Sequence, residues 1–338
     1  MFKRAVTVGA LLLLQAAVLC RAQDATNECD VVRALLRERA FAFDVSRADS
    51  AALAALLHAV DPRARLLTAD EAHRLEQAQA GLAEGGACAT GAVSAATNPV
   101  PLSVLADLER WPEELAYLQV RSLCPGGGAE LAIHLQALAA NGLHGLILDL
   151  RNAEGTDLAS VAAAAGPVRC PGRPLFSVQD RQGQTLESSR AAEAQPLDAV
   201  VMVLIDRTTR DAAELLAGVL KGAPGVMLIG DRTAGDALVR ELIALPDGRR
   251  LLVGTRQAVL ADGSSYAGTG IVPDIAVEPW APPRESDLSG QPAANNRAAS
   301  AKTLRDLDLA RRVADDPPLR RATDLLLGLK ALGMYDGR

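Results

Sequence analysis

Aromatic side chains are scarce in this 338-residue chain, only 3% of positions, so its cores have to be filled by Ala, Leu and Val rather than by rings. Basic runs interleaved with aromatics are missing, and the formal net charge is −6, which removes the electrostatic footprint that nucleic-acid binding requires. Histidine is rare and dispersed: His58, His73, His134 and His144 fall in separate helical stretches, and no CxxC pair accompanies them. That spacing fits no metal centre, and neither a metal nor a cofactor is expected. The longest apolar stretch, Ala5 to Cys20, has about 16 residues, short of the ~20 that span a bilayer.

What is present is a globular composition, 49% hydrophobic and 22% charged. At its start, MFKRAVTVGALLLLQAAVLCRAQ places Lys3 and Arg4 before the apolar stretch and a small residue at Ala22 after it, the pattern of an export signal over residues 1–22. Leu19 is too large for lipoprotein attachment at Cys20, so cleavage after Ala22 is expected, giving a periplasmic or secreted product with no stable membrane span. Cys29, Cys88, Cys124 and Cys170 then remain, an even number in an oxidising compartment, where disulfides are plausible. All three pairings stay open; Cys29 with Cys88 and Cys124 with Cys170 would keep each bridge within one unit.

Apolar periodicity at Val31, Leu35 and Leu36, and again at Leu53, Leu56 and Leu57, predicts a helical unit over 23–80, and Thr68 with Glu71 forms a capping box for its last helix. Residues 81–114, rich in Gly, Ala, Ser, Asn and Pro, read as a linker. From 115 to 281 the pattern alternates strands and helices: AYLQV, a helix over 129–140, GLILDL, a helix near 157–165, VVMVLI and the helix that begins at Asp211. LILDL and VVMVLI are apolar without alternation, as in strands buried on both faces. LVRELIALPDGRRLLVGTRQAVL, at 238–260, reads as a hairpin turning through Pro246, Asp247 and Gly248. A second linker over 282–300 precedes a C-terminal helical segment, 301–338, with Leu319, Leu325, Leu326 and Leu329 on one face.

The segment VVMVLIDRTTRDAAELLAGVLKGAPGVMLIGDRTAGD at 200–236 is a strand, a turn, a helix, a second strand and a glycine turn. Together with GLILDLRNAEG at 145–155 and GTGIVPDIAV at 268–277, in this order and spacing, it resembles the carboxyl-terminal processing, or tail-specific, protease family. The resemblance implies an α/β core of the crotonase and ClpP-like type with an N-terminal helical unit and a C-terminal helix. AVDPRARLLTADEAHRLEQ at 59–77 is similar to the family's segment ahead of its PDZ domain, and that domain is missing from the short stretch that follows.

In the family, the nucleophilic serine stands where this chain has Asp211, and the lysine general base stands where it has Asp236, after Thr233, Ala234 and Gly235. Acyl transfer needs a hydroxyl that can lose its proton and an amine of lowered pKa to accept it. Two carboxylates supply neither, so no serine-type turnover is expected. The oxyanion hole of the family falls on the backbone N–H groups of Gly155 and Ala212, but Glu154 and Thr156 replace the proline and the second glycine around Gly155. Asp211 also has a plain reading as a first-turn residue stabilised by the helix dipole, and Asp236 as a turn residue. If the two face each other, they would share a proton or hold a cation between them, with an aspartic-type hydrolase as the extreme case. Lys221, Thr208, Thr209, Ser264 and Ser265 are the substitutes on offer for the lost pair. The functional expectation is an exported, inactive homologue that binds an extended peptide, an unfolded protein or an active relative; the alternatives are a divergent serine-type endopeptidase and a small-ligand carrier.

Overall fold

Val200–Ile205 is apolar at every position because this strand lies in the middle of a sheet covered on both sides, with Val203, Leu204 and Ile205 wholly buried. The computed structural model describes residues 45–83, 104–278 and 309–334, apart from Cys170 and Asp247. The expected signal segment, Cys29, Cys88, Cys170, the linker at 282–300 and most of that at 81–114 lie outside the described residues. Two compact units are present, residues 1–65 and 66–338.

In the first unit, helix α1 (Val45–Val60) carries the predicted apolar spacing, yet Leu53 and Leu56 are exposed. The second unit opens around the short strand β1 (Arg65–Leu67) and helix α2 (Ala69–Ala83). Its capping box is formed as expected: the Thr68 N–H donates to Glu71 Oε2 at 2.8 Å and the Glu71 N–H to Thr68 Oγ1 at 3.3 Å.

The central sheet comprises β2 (Leu105–Trp111), β3 (Leu115–Val120), β4 (Gly145–Asp149), β7 (Val200–Ile205), β8 (Val226–Gly230) and β11 (Ile275–Ala276), in the order β11-β8-β7-β4-β3-β2. All neighbours are parallel except β2, which runs antiparallel to β3. The crossovers are α3 (Gly127–Ala139), α4 (Leu158–Ala165) and α5 (Asp211–Leu220), and their apolar faces pack with Leu118, Leu146, Val203 and Leu228 on one side of the sheet. The residues between, Tyr117, Ile147, Met202, Leu204 and Ile229, face the other way and meet Leu319, Ala322 and Leu326 of the C-terminal helix α6 (Pro317–Ala331). The α/β class and the central strands are thus as expected.

The sheet begins earlier than expected, since β2 falls inside the stretch read as a linker. Its inward positions include Asp107 and Glu109, which are matched by Arg312 rather than by apolar groups, so hydrophobic patterning does not reveal the strand. A second sheet contains the hairpin β9 (Leu238–Ala244) and β10 (Arg250–Leu260), with β5 (Pro174–Gln179) and β6 (Thr185–Arg190) beyond it. The β9–β10 hairpin was expected; β5, which buries Leu175, Phe176 and Val178, and the largely exposed β6 were not.

One ionic bridge ties α6 to the sheet. Asp149, wholly buried, accepts from Tyr117 Oη at 2.9 Å and from Arg151 Nη2 at 2.6 Å, and the same nitrogen reaches Asp316 Oδ2 at 2.7 Å. Asp316 also caps α6 by accepting from the Leu319 N–H at 3.0 Å. Removing the cation should leave Asp149 buried and uncompensated, so Arg151→Ala is expected to lose about 3–5 kcal/mol in urea unfolding. Asp316→Ala, which removes a partly exposed partner and a cap, is expected to lose about 1–2 kcal/mol.

Candidate functional site

Strand β7 delivers the chain into the turn Asp206–Arg210. Asp206 Oδ1 accepts from the Thr208 N–H at 2.8 Å, and Thr209 Oγ1 donates to the Leu150 carbonyl at 3.2 Å, so the turn leans on the end of β4. Arg210 is extended, with φ −146°, and Asp211 then turns left-handed, with φ 53°. That region costs an L-residue about 1–2 kcal/mol, less for aspartate, whose side chain can bond locally. Asp211 thus opens α5, and Thr208 Oγ1 accepts from the Asn152 N–H at 2.8 Å.

Glu214, in the same first turn of α5, is wholly buried and organises the glycine turn opposite. Its Oε1 accepts from the Gly235 N–H at 2.6 Å and from Thr233 Oγ1, and its Oε2 accepts from the Asp236 N–H at 2.8 Å. Burial lifts the Glu214 carboxyl above its ordinary range; these three donors oppose the shift, and the Asp236 charge adds to it. The turn is held from its other side as well: the Ala234 N–H donates to the Thr209 carbonyl at 3.1 Å, and the Gly268 N–H to the Gly235 carbonyl at 2.8 Å. Gly235 has φ 81°, and a Cβ there would meet the backbone of Gly268 and Gly270 at 3.0 Å, so only glycine fits.

The two aspartates meet through a residue that the sequence reading did not single out. Arg240, on β9, places Nη2 2.9 Å from Asp236 Oδ1 and Nη1 3.6 Å from Asp211 Oδ1. Side-chain exposures of 7% for Asp211, 14% for Asp236 and 10% for Arg240 put the triad almost out of water. The counter-charge expected from a shared proton or a cation is thus a guanidinium. Among the described residues, no group of three or more His, Cys, Asp or Glu could hold a metal ion. Tyr266, also buried, has its phenol held protonated first by burial and then by the charges of Glu214, Asp236 and Asp211.

Gly155 and Ala212 are brought together too, but not as two converging donors. The Ala212 N–H donates to the Gly155 carbonyl at 3.1 Å, so the group expected to face an oxyanion is already bonded within the protein. Gly155 has φ 114°, and a Cβ there would fall 2.2 Å from the Leu123 carbonyl oxygen.

The proposed substitutes for the lost pair are engaged elsewhere. Lys221 Nζ donates to the Val272 carbonyl at 2.6 Å, Ser264 Oγ to Asp262 at 2.6 Å, and Ser265 Oγ accepts from Gln257. Cys124 is buried in the core, while its expected partners lie outside the described residues.

The site therefore stands at the carboxyl ends of parallel strands in an α/β core, where open sheets of this class carry their functional groups. Residues 114–277 match the profile described as Peptidase family S41, so just under half of the chain is similar to that family. The carboxyl-terminal-processing protease of Synechocystis sp. is 29% identical over 178 residues, which is 53% of this chain and 41% of that protein. The carboxy-terminal processing protease CtpA of Bacillus subtilis is 26% identical over 161 residues, 48% of this chain and 34% of the relative. Among solved structures, the photosystem II D1 C-terminal processing protease aligns with a TM-score of 0.47 and 23% identity, over 54% of this chain and 50% of that one. The chain spans about two-fifths or less of the length of these curated relatives.

Because the folded state lifts the Glu214 carboxyl, its contribution to stability is complete below the ordinary carboxylate value near 4.5 and is lost as pH rises through the raised one. Glu214→Gln should remove this component, so the stability difference between wild type and variant is expected to shrink as pH rises above about 4.5. Urea unfolding of both proteins between about pH 4 and 8 checks the sign of that trend.

Proposed function

We propose that this chain is a catalytically silent, exported member of the carboxyl-terminal processing protease family that binds extended polypeptide without cleaving it. The observation that carries the reading is the Asp211–Arg240–Asp236 triad, since the resemblance assigns positions 211 and 236 to a hydroxyl and an amine and the structure ion-pairs both aspartates instead. A carboxylate at 211 has no proton to give up in forming an alkoxide, and its attack on a peptide carbonyl would produce a mixed anhydride. The guanidinium of Arg240 remains charged at any working pH and is no proton acceptor. The bond from the Ala212 N–H to the Gly155 carbonyl adds support, because it occupies a donor that an oxyanion would need.

The outer edge of β9 supports binding. Among the described residues β9 pairs only with β10, so its second row of backbone donors and acceptors is open to an added strand beside Arg240. Ile243, exposed on this strand, offers an apolar contact. The partner would be an unfolded protein segment or a strand of an active relative. The carrier alternative has less behind it: a cavity of about 550 Å³ at the carboxyl ends of β4 and β7 sets six aspartates and three arginines beside its apolar groups, Ile205, Val277, Pro318 and Leu319.

Two measurements on the purified protein check this reading. A fluorophosphonate probe is expected to label no side chain, and a reduced, carboxymethylated polypeptide is expected to stay intact while its fluorescence anisotropy reports binding. Cleavage that disappears in Asp211→Ala would establish the divergent-peptidase alternative instead. A proline in place of Val239 or Leu242 on β9 that leaves binding unchanged would remove the edge-strand assignment.

A further inference from the structure

The loop that approaches Ala212 hangs directly from the bridge that anchors the C-terminal helix. Arg151 joins Asp149 to Asp316, and the next residue, Asn152, is left-handed, with φ 57°. Its N–H is fixed on Thr208, Ala153 is buried, and the Glu154 N–H donates to the Arg121 carbonyl at 2.9 Å. Gly155 then meets the Ala212 N–H. Asn152 and Asp211, the two strained non-glycine residues of this region, thus sit on the two sides of one contact, both reached through Thr208 and its turn. Strained conformations of this kind persist only where their surroundings over-determine them.

The surroundings on one side are set by α6. Its N-terminal cap, Asp316, is also the carboxylate that grips Arg151, with a second contact of 3.1 Å from Nη1 to Oδ1. Leu319, Ala322 and Leu326 press the helix onto Tyr117, Ile147 and Met202. Upstream of the cap, Arg312 bonds Glu109 at 2.9 Å and lies over the Tyr117 ring at 5.3 Å from its centroid, and Tyr117 donates to Asp149. Among the described residues, the ionic route from the helix start to the 152–155 loop runs through the Asp149–Arg151 pair.

We propose that α6 is a strap which, when docked, holds the 152–155 loop closed over Ala212 through Asp316 and Arg151, and which on undocking releases the loop and the Ala212 N–H together. The two states differ in a defined way: docked, the Gly155 carbonyl takes the donor; undocked, Arg151 keeps only Asp149 and the loop loses its fixed start. The device is independent of what binds at the β9 edge.

Amide hydrogen exchange on the full chain tests it. Asp316→Ser keeps a side-chain cap for α6 but removes the charge that holds Arg151. The Ala212 amide and the amides of 152–155 are expected to exchange about tenfold faster in this variant, while those of Val200–Ile205 stay at wild-type protection. Thr68→Ala, which weakens the same unit at the α2 cap, is expected to leave Ala212 unchanged and so separates the strap from general destabilisation. Faster exchange confined to 317–331, with Ala212 as well protected as in the wild type, would overturn the proposal. So would an equal acceleration at Ala212 in Thr68→Ala.

Discussion

A carboxylate cannot be buried without donors, and the way Glu214 obtains them fixes the rest of the site. Wholly buried, it takes its bonds from Thr233, Gly235 and Asp236, and this brings the glycine turn against the first turn of α5. That docking sets where Asp236 points, the register in which β9 leaves the turn, and hence where Arg240 arrives between the two aspartates. Helix, turn and hairpin are joined at one side chain, and the candidate site is the volume they enclose.

Seen in this way, the ionic triad is a local solution to an electrostatic problem. Two carboxylates held close in a poorly hydrated place repel each other, and each would resist ionisation without a counter-charge. Arginine answers both with one planar fork, where lysine would present a single point of charge. The network is short of partners from solvent, so its members are coupled: a change at any one of the three alters the setting of the other two. On the proposed reading, the scaffold has kept the convergence of turns that a hydrolytic site requires and filled it with an ion-paired cluster.

Much of this was legible in the residues. The strands Gly145–Asp149 and Val200–Ile205 are continuous apolar runs because both their faces are covered, and the Thr68–Glu71 box, the hairpin at 238–260 and the closing helix carry local signals of their own. Asp211, Asp236, Gly155 and Ala212 were singled out by the resemblance of the surrounding motifs to the protease family, not by side-chain pattern. Arg240 was not, because an arginine in a strand reads as a solvated residue until the turn before it is placed in space. The strands Leu105–Trp111 and Thr185–Arg190 escaped for a related reason: the first satisfies its inward acids with Arg312 and the second is exposed, so neither has an apolar rhythm. The bond between Gly155 and Ala212 depends on two backbone angles, and side-chain pattern carries no record of those.

The left-handed backbone at Asp211 has a bearing on how this protein can change over time. Whatever side chain occupies that position is presented from the same kinked base, so replacement there alters chemistry without first having to rebuild the main chain. Its neighbours are less permissive: a new group must arrive alongside Arg240, whose single charge is shared by two acids, and a lysine at 236 would stand against it as a second cation. Evolutionary routes out of the present state are thus near in shape and remote in charge, and any lineage that took one would be expected to change residues 211, 236 and 240 as a set.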